Sequence, residues 1–239
     1  MDPDALIRDF YGHGLLIVAE LFDPAKVVEI ERELIRYIGQ MDRRRSDVVY
    51  EPGTDRKIRN VFHMHQDDEY FASLAREPRL LNLVKGILND EPLLMTVELF
   101  AKPARVGSEV PYHQDNAYFN LTPDDALTVW LALADSIEEN GCVRYLDGSH
   151  KLGNLPHRPS GVKGNSMGLC EVPSGSWREV AGVVRRGGAV IHHCNTIHRS
   201  EPNRSDRDRP GLLFVYKAAR CRVDESRAAR YREVAAALR

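Results

Sequence analysis

The sequence predicts an α+β fold in one domain over residues 1–239, with a helix-rich first third packed on a later β-barrel or jelly roll. Three observations predict it. Apolar residues recur at helical spacing over roughly the first 90 positions. After Asp90 the texture changes to short apolar runs cut by Gly, Pro, Asn and Asp, the pattern of successive strands and turns. A chain of 239 residues with 43% hydrophobic composition is long enough to bury one sizeable core.

Taken in chain order, Asp4 to Tyr11 reads as a helix and Gly14-Leu-Leu-Ile-Val as a short strand bounded by glycine. Asp23-Pro24 supplies an N-cap and a first-turn proline for a helix reaching Met41, with Val27, Val28, Ile30, Leu34, Ile35 and Ile38 near one face. Residues 41–56 combine charges with Pro52 and Gly53 and are expected to form an exposed loop. A helical pair follows at about Asp67 to Arg76 and Pro78 to Leu88, closing the helix-rich part, 1–90. Strands are expected at Leu94 to Ala101, Leu127 to Ala134, Cys142 to Leu146, Val180 to Val184, Gly188 to His192 and Gly211 to Lys217, within a β core of about 91–219. The alanine- and arginine-rich tail, Glu225 to Arg239, reads as a closing helix.

Composition narrows the function classes. Thirty-three basic against thirty-five acidic residues leave a net charge of -2, without the whole-chain basic footprint of a nucleic-acid binder. The run Arg43-Arg44-Arg45 reads as a solvated loop. No cationic start followed by an apolar stretch is present, and no apolar run approaches the ~18 residues that span a bilayer. A cytoplasmic protein without membrane or nucleic-acid partners is therefore expected. Cys142, Cys170, Cys194 and Cys221 form no C-x-x-C pair, which argues against a zinc ribbon or a thioredoxin-like motif and suits free thiols in a reducing compartment.

Among nine histidines one arrangement has the logic of a metal site. His113-Gln114-Asp115 follows a predicted strand and the turn-rich 102–107. If 112–116 is extended, alternation puts His113 and Asp115 on one face. His198 ends the segment Ile191-His-His-Cys-Asn-Thr-Ile-His. Two histidines and one carboxylate that leave coordination positions open make the facial triad of non-haem iron(II) oxygenases. The same three letters recur at His65-Gln66-Asp67, but that copy opens a predicted helix, where residues two apart diverge. Of the adjacent His192 and His193, alternate faces of a strand allow at most one to look inward.

The string from His198 through Ser200, Asn203 and Ser205 to Arg209 resembles the phytanoyl-CoA dioxygenase family, which carries H-x-D, then a distal H-x-S and an arginine eleven positions after the histidine. Lys102-Pro103, Trp130 within Thr-Val-Trp-Leu-Ala-Leu, and Asn140-Gly-Cys-Val-Arg-Tyr-Leu-Asp-Gly-Ser-His150 extend the resemblance, as does Lys57-Ile58 upstream. Asp147 stands where the family usually has proline. The resemblance implies a double-stranded β-helix, that is, a jelly roll. It also implies iron(II) on His113, Asp115 and His198, with 2-oxoglutarate and O2 as cosubstrates and a small-molecule substrate. Arg209 and Ser200 would meet the distal carboxylate of 2-oxoglutarate, which needs a fork-shaped cation when buried. Trp130 would wall its methylenes and Lys57 would contact it. Arg207, two residues away, competes for the anchoring role if the loop register differs, and Lys102 reads as a solvated loop residue. The implied reaction oxidises a substrate C–H bond, most simply by hydroxylation, with succinate and CO2 as co-products; cyclisation, desaturation and epimerisation belong to the same family. Halogenating relatives lose the carboxylate that Asp115 retains. A jelly-roll binding module without chemistry and a zinc hydrolase are the rival readings, and the latter leaves Arg209 and Ser200 without a partner. The loops 42–56 and 157–176 are expected to close the pocket.

Overall fold

The computed structural model describes residues 3–54 and 56–236. Helix α1 (Pro3–His13) leads into strand β1 (Leu15–Val18) and helix α2 (Pro24–Gln40). The Asp23 side chain accepts a hydrogen bond from the Lys26 amide at 2.8 Å and Pro24 occupies the first turn, so α2 starts where its cap dictates. Its buried face is Val27, Ile30, Leu34 and Tyr37. Val28 at 57% and Ile35 at 73% exposure lie outside it, so the apolar stripe is narrower than the sequence predicts. Two short strands, β2 (Val48–Tyr50) and β3 (Ile58–Val61), precede helices α3 (Met64–Asp67), α4 (Glu69–Leu74) and α5 (Pro78–Leu88).

The second part continues with β4 (Pro92–Lys102), β5 (Val110–His113), α6 (Asn116–Phe119), β6 (Leu121–Thr122), β7 (Ala126–Ala132) and β8 (Val143–Leu146). After a 3-10 turn at Ser149–Leu152 come β9 (His157–Val162), β10 (Asn165–Leu169), β11 (Glu179–Ala181) and β12 (Ala189–His193). The chain ends with β13 (His198–Ser200), β14 (Arg209–Ala218), β15 (Arg222–Val223) and α7 (Glu225–Ala236). Seven strands form the major sheet in the order β1-β12-β7-β14-β4-β3-β2, and four form the minor sheet, β11-β8-β13-β5. All pairings are antiparallel, and the whole is a jelly roll with helices on one side.

Strand alternation separates two interiors. Leu127, Val129 and Leu131 of β7, Val97 and Leu99 of β4, and Leu212 and Phe214 of β14 pack with Val27, Ile30 and Leu34 of α2 and Leu80, Val84 and Ile87 of α5. The intervening residues, Thr128 and Trp130, Thr96, Glu98 and Phe100, Leu213 and Val215, line a cavity between the sheets. With both faces covered, the strands of the major sheet read as near-continuous apolar runs.

Three local expectations change. The stretch 157–176, expected as a loop, contains the β9–β10 hairpin. The stretch 41–56 contains β2, and its Glu51 is buried rather than exposed. The first third supplies β2 and β3 to the major sheet besides its helices and the strand β1 that the sequence predicts. Short strands in charged surroundings carry little periodic signal, which is why pairing partners rather than local sequence define them. Residues 237–239 of the expected closing helix lie outside the described residues. Among the described residues no helix is long and apolar enough to cross a membrane.

Glu51 and Arg59 fasten the β2–β3 edge to the turn after β4. Arg59 Nη1 meets both Glu51 oxygens at 3.2 and 3.3 Å, its Nη2 donates to the Glu109 carbonyl at 3.0 Å, and Glu51 accepts the Ser108 amide at 3.1 Å. Glu51→Ala should therefore strand a buried guanidinium and cost about 3–5 kcal/mol of stability. Urea unfolding at constant m-value measures this, and a loss below about 1 kcal/mol would show that the pair does not fasten the edge.

Candidate metal centre

His113 ends β5 and His198 opens β13, and the two are antiparallel partners, so sheet register brings together residues far apart in the chain. Their rings lie 4.1 Å apart between centroids. Asp115 reaches them by a route the sequence reading did not anticipate: the strand stops at His113, and Asp115 adopts helical backbone angles, φ -63° and ψ -32°, at the start of α6. A turn, not strand alternation, places its Oδ1 at 3.7 Å from His113 Nε2 and 3.5 Å from His198 Nε2. Among the described residues these three form the one group of His, Cys, Asp or Glu side chains whose donor atoms all lie within 4.8 Å of one another.

The surroundings fix the chemical state of each donor. His113 Nδ1 lies 2.9 Å from the Pro111 carbonyl and His198 Nδ1 2.9 Å from that of Thr196. A carbonyl only accepts, so each Nδ1 carries the proton and each Nε2 lone pair points to the centre. Burial is the largest influence on both imidazoles and lowers their pKa values, favouring the neutral ligand form. Burial alone would raise Asp115, but the adjacent imidazoles of His198, His192 and His113 outweigh it and hold the carboxyl well below the usual range. Its Oδ2 accepts from Thr128 Oγ1 at 2.7 Å and from His192 Nε2 at 3.0 Å. His192 is thus the inward-facing member of its pair, while His193 packs on the opposite side with Phe10 and His150. Two neutral nitrogens and one carboxylate beside an open cavity suit a divalent transition metal with free coordination positions.

Arg209, 1% exposed, opens β14 and turns its guanidinium into the same cavity, 4.8 Å from the centroid of Trp130. Its Nε and Nη1 have no hydrogen-bond partner, and burial pushes its pKa down to about 10. A buried cation with unfilled donors is a receptor for an anion. Ser200, two residues beyond His198, lines the same space, as does Trp130. Trp130 has room only because residue 211 is glycine: a Cβ there would sit 2.4 Å from Trp130 Cζ2. Arg207 is exposed, and the buried Asn203 ties its carbonyl and that of Lys102 at 2.8 Å each. The loop register therefore delivers Arg209, not Arg207, to the interior.

Two lysines exchange the places expected of them. Lys57 is exposed and outside the cavity wall, because it lies in the turn before β3. Lys102, read as a solvated loop residue, is 1% exposed at the end of β4 and donates to the Ser108 carbonyl at 2.9 Å and that of Glu201. It clamps the segment after His198 to the major sheet. The second H-x-D copy is not gathered at the centre: His65 Nδ1 accepts the Val97 amide at 3.2 Å and Asp67 pairs with Arg45. Asp147, in place of proline, accepts from His13 at 2.7 Å at a surface turn. Sequence reading missed Thr96, Glu98 and Phe100 of β4, Tyr118 and Tyr231, all in the wall of a cavity of 610 Å³. A signal existed for one of them, since Glu98 is the lone acidic residue of a largely apolar strand.

A family model described as phytanoyl-CoA dioxygenase matches residues 10–211. Phytanoyl-CoA dioxygenase domain-containing protein 1 of Rattus norvegicus is 30% identical over 183 residues, covering 74% of this chain and 62% of that protein. Ectoine dioxygenase of Bordetella bronchiseptica is 26% identical over 229 residues, covering 89% and 74%. The chain thus spans less than two thirds of the rat protein's length. The solved structure of SnoN, a non-haem α-ketoglutarate-dependent epimerase of nogalamycin biosynthesis, superposes with TM-score 0.75 at 24% identity over 92% of this chain and 84% of that one, a likeness of fold.

Gly211 and Gly86 make a matched test of the packing behind the site. Gly211→Ala should cost about 1–3 kcal/mol, since Trp130 must give way. Gly86→Ala, on the exposed face of α5 with nothing within 4 Å of the added carbon, should stabilise by about 1 kcal/mol. Chemical denaturation of both variants checks the pair, and a neutral Gly211→Ala would refute the close approach.

Proposed function

This chain belongs to the phytanoyl-CoA dioxygenase family, and from that premise we propose that it is an iron(II)- and 2-oxoglutarate-dependent oxygenase of a small-molecule substrate. The observation that carries the reading is Arg209, a buried guanidinium with two unfilled donors sharing one cavity with the His113, Asp115 and His198 cluster. A metal and an anion receptor in one cavity are what a chelating dicarboxylate requires. In this proposal His113, Asp115 and His198 hold iron(II). Bound iron supplies activation of O2 coupled to decarboxylation of 2-oxoglutarate to succinate and CO2, with oxidation of a substrate C–H bond.

The chain's own residues orient and shield. Thr128 and His192 keep the Asp115 carboxylate ionised and aimed. Arg209, with Ser200 beside it, takes the distal carboxylate of 2-oxoglutarate, and the Trp130 indole walls its methylenes while stacking on the guanidinium. The buried walls exclude water from the reacting centre. Asp115 occupies the position that chloride takes in halogenating relatives, which favours hydroxylation or another oxidation over halogen transfer. A zinc hydrolase or an inert binding module leaves the orphan donors of Arg209 without purpose. We further propose that the described residues act as one domain, since one apolar cluster joins α2, α5 and the major sheet. The four free cysteines suit a cytoplasmic location.

Anaerobic addition of iron(II) and 2-oxoglutarate should give the weak visible charge-transfer band of the chelate. His113→Ala should abolish the band and iron-dependent succinate release, whereas His65→Ala should retain both; the opposite ranking would move the metal to the helical part. Arg209→Ala should weaken 2-oxoglutarate by about 2–5 kcal/mol through loss of a buried charged hydrogen-bonding partner, and Arg207→Ala should leave it within about 0.5 kcal/mol. Titration of the band decides between them, and equal mild effects would place the anchor elsewhere.

A further inference from the structure

Glu98 is a carboxylate in the cavity wall that the oxygenase reading does not use. It lies in the middle of β4, on the face that also presents Thr96 and Phe100 to the cavity. Sheet register sets its position. Glu98 is opposite Leu213 of β14, and Leu213 is opposite Trp130 of β7. The neighbouring row runs Thr96, Val215, Thr128 and His192, ending on the partners of Asp115. At the usual spacing of about 4.8 Å between strands, the Glu98 backbone is about 10 Å from that of Trp130, across the cavity floor from the Arg209 corner.

Charge complementarity is incomplete at this wall. Among the described residues no arginine, lysine or histidine forms an ion pair with Glu98, and the other cation that reaches the lining, Arg199, is already held by Glu179 and Glu201. Burial, opposed by a hydrogen bond from Thr96 and reinforced by Asp115, pushes the Glu98 pKa up to about 8. Below that pH the empty cavity holds Glu98 as the neutral acid, and a cation placed against it would favour the carboxylate. Arg209 and the metal would satisfy the two carboxylates of 2-oxoglutarate and leave no positive charge over for Glu98. A cation that restores its charge can therefore arrive only with the substrate. Phe62, Phe100, Phe119, Tyr118 and Tyr231 line the same cavity, and aromatic faces beside a carboxylate are the usual surroundings of a bound ammonium group. A second metal ion is not supported, because one carboxylate is too few ligands to hold it.

We propose that Glu98 is the substrate-recognition residue and that the substrate presents to it a protonated amine, with the rest of its skeleton running along the aromatic wall toward the His113, Asp115 and His198 cluster. The proposal rests on the oxygenase reading and narrows it to amine substrates.

The test uses the full chain with iron(II) and 2-oxoglutarate, measuring succinate release and probe binding by calorimetry. The probes are phenethylamine, hexylamine and lysine, set against phenethyl alcohol, phenylpropionate, hexanol, heptanoate and norleucine. Amines should bind and stimulate succinate release at least about tenfold more than their neutral or acidic counterparts, and Glu98→Gln should erase that preference, lowering amine affinity at least about thirtyfold. The wild-type panel needs no variant, so it stands even if Glu98→Gln fails to fold. Preference for alcohols or acids, or amine binding indifferent to Glu98→Gln in a folded variant, would overturn the inference and make Glu98 a neutral hydrogen-bond donor or a structural group. Binding or stimulation by none of the amines, with the chelate band and unstimulated succinate release intact in the wild type, would overturn it alone. Absence of the band and of succinate in the wild type would overturn the oxygenase reading and this inference with it.

Discussion

One largely buried carboxylate, with 14% of its side chain exposed, ties the two sheets of the jelly roll together. Asp115 accepts from Thr128 on β7 and from His192 on β12 through one oxygen, and turns the other toward His113 on β5 and His198 on β13. The major and minor sheets therefore meet at this ionised group, besides the Lys102 clamp between β4 and the segment after His198. A buried carboxylate is tolerable only when its lone pairs are filled and a compensating charge is near. Thr128 and His192 fill one oxygen, and the chemistry of the donor set assigns the other to a metal. Function and fold share this constraint: the group that would open the site to a metal is also the one whose hydrogen bonds set how the sheets approach.

The cavity around it is organised by unfinished electrostatics. Arg209 is buried on an aromatic face with two donors unfilled, and Glu98 is half-buried on the neighbouring strand of the same sheet without a cationic partner. The two lie in one cavity yet form no ion pair, because the strand register fixes them on different rows of the major sheet. Such mutual avoidance costs stability in the empty protein and is relieved by ligands of complementary charge. Support behind Arg209 is correspondingly elaborate. Asn203 bonds the carbonyls of Lys102 and Arg207 and accepts from Ser205, shaping the loop from which Arg209 enters the barrel. Gly211 leaves room for Trp130, and Lys102 holds the Glu201 carbonyl.

The helices are a scaffold for one face of the major sheet. Leu80, Val84 and Ile87 on α5 and Val27, Ile30 and Leu34 on α2 cover Leu127, Val129 and Leu131 of the central strand β7. That cover leaves the opposite side chains of the same strands free to build a polar, ligand-receiving interior. The first third also reaches into the wall itself, through Phe62 and His63 just after β3.

Much of this was legible in the sequence. The Asp23 cap fixed the start of α2, the apolar runs located most of the long strands, and H-x-D with a distal histidine and an arginine singled out residues that the structure gathers in one cavity. Those signals are local: a cap, a period and a spacing are properties of neighbouring residues. Tertiary structure shows how the His113 copy, which the sequence favours, meets a second histidine, because only antiparallel pairing of β5 with β13 brings His198 to His113. It decided that Asp115 arrives by a helical turn, that Lys102 is buried while Lys57 is not, and that Arg209 rather than Arg207 points inward. It also gave Glu98 a meaning, by placing a strand carboxylate in the cavity that holds Arg209 but out of its reach along the sheet. The physical reason lies beyond local sequence: convergence and burial are set by pairing between segments distant in the chain, and no property of either segment specifies its partner by itself.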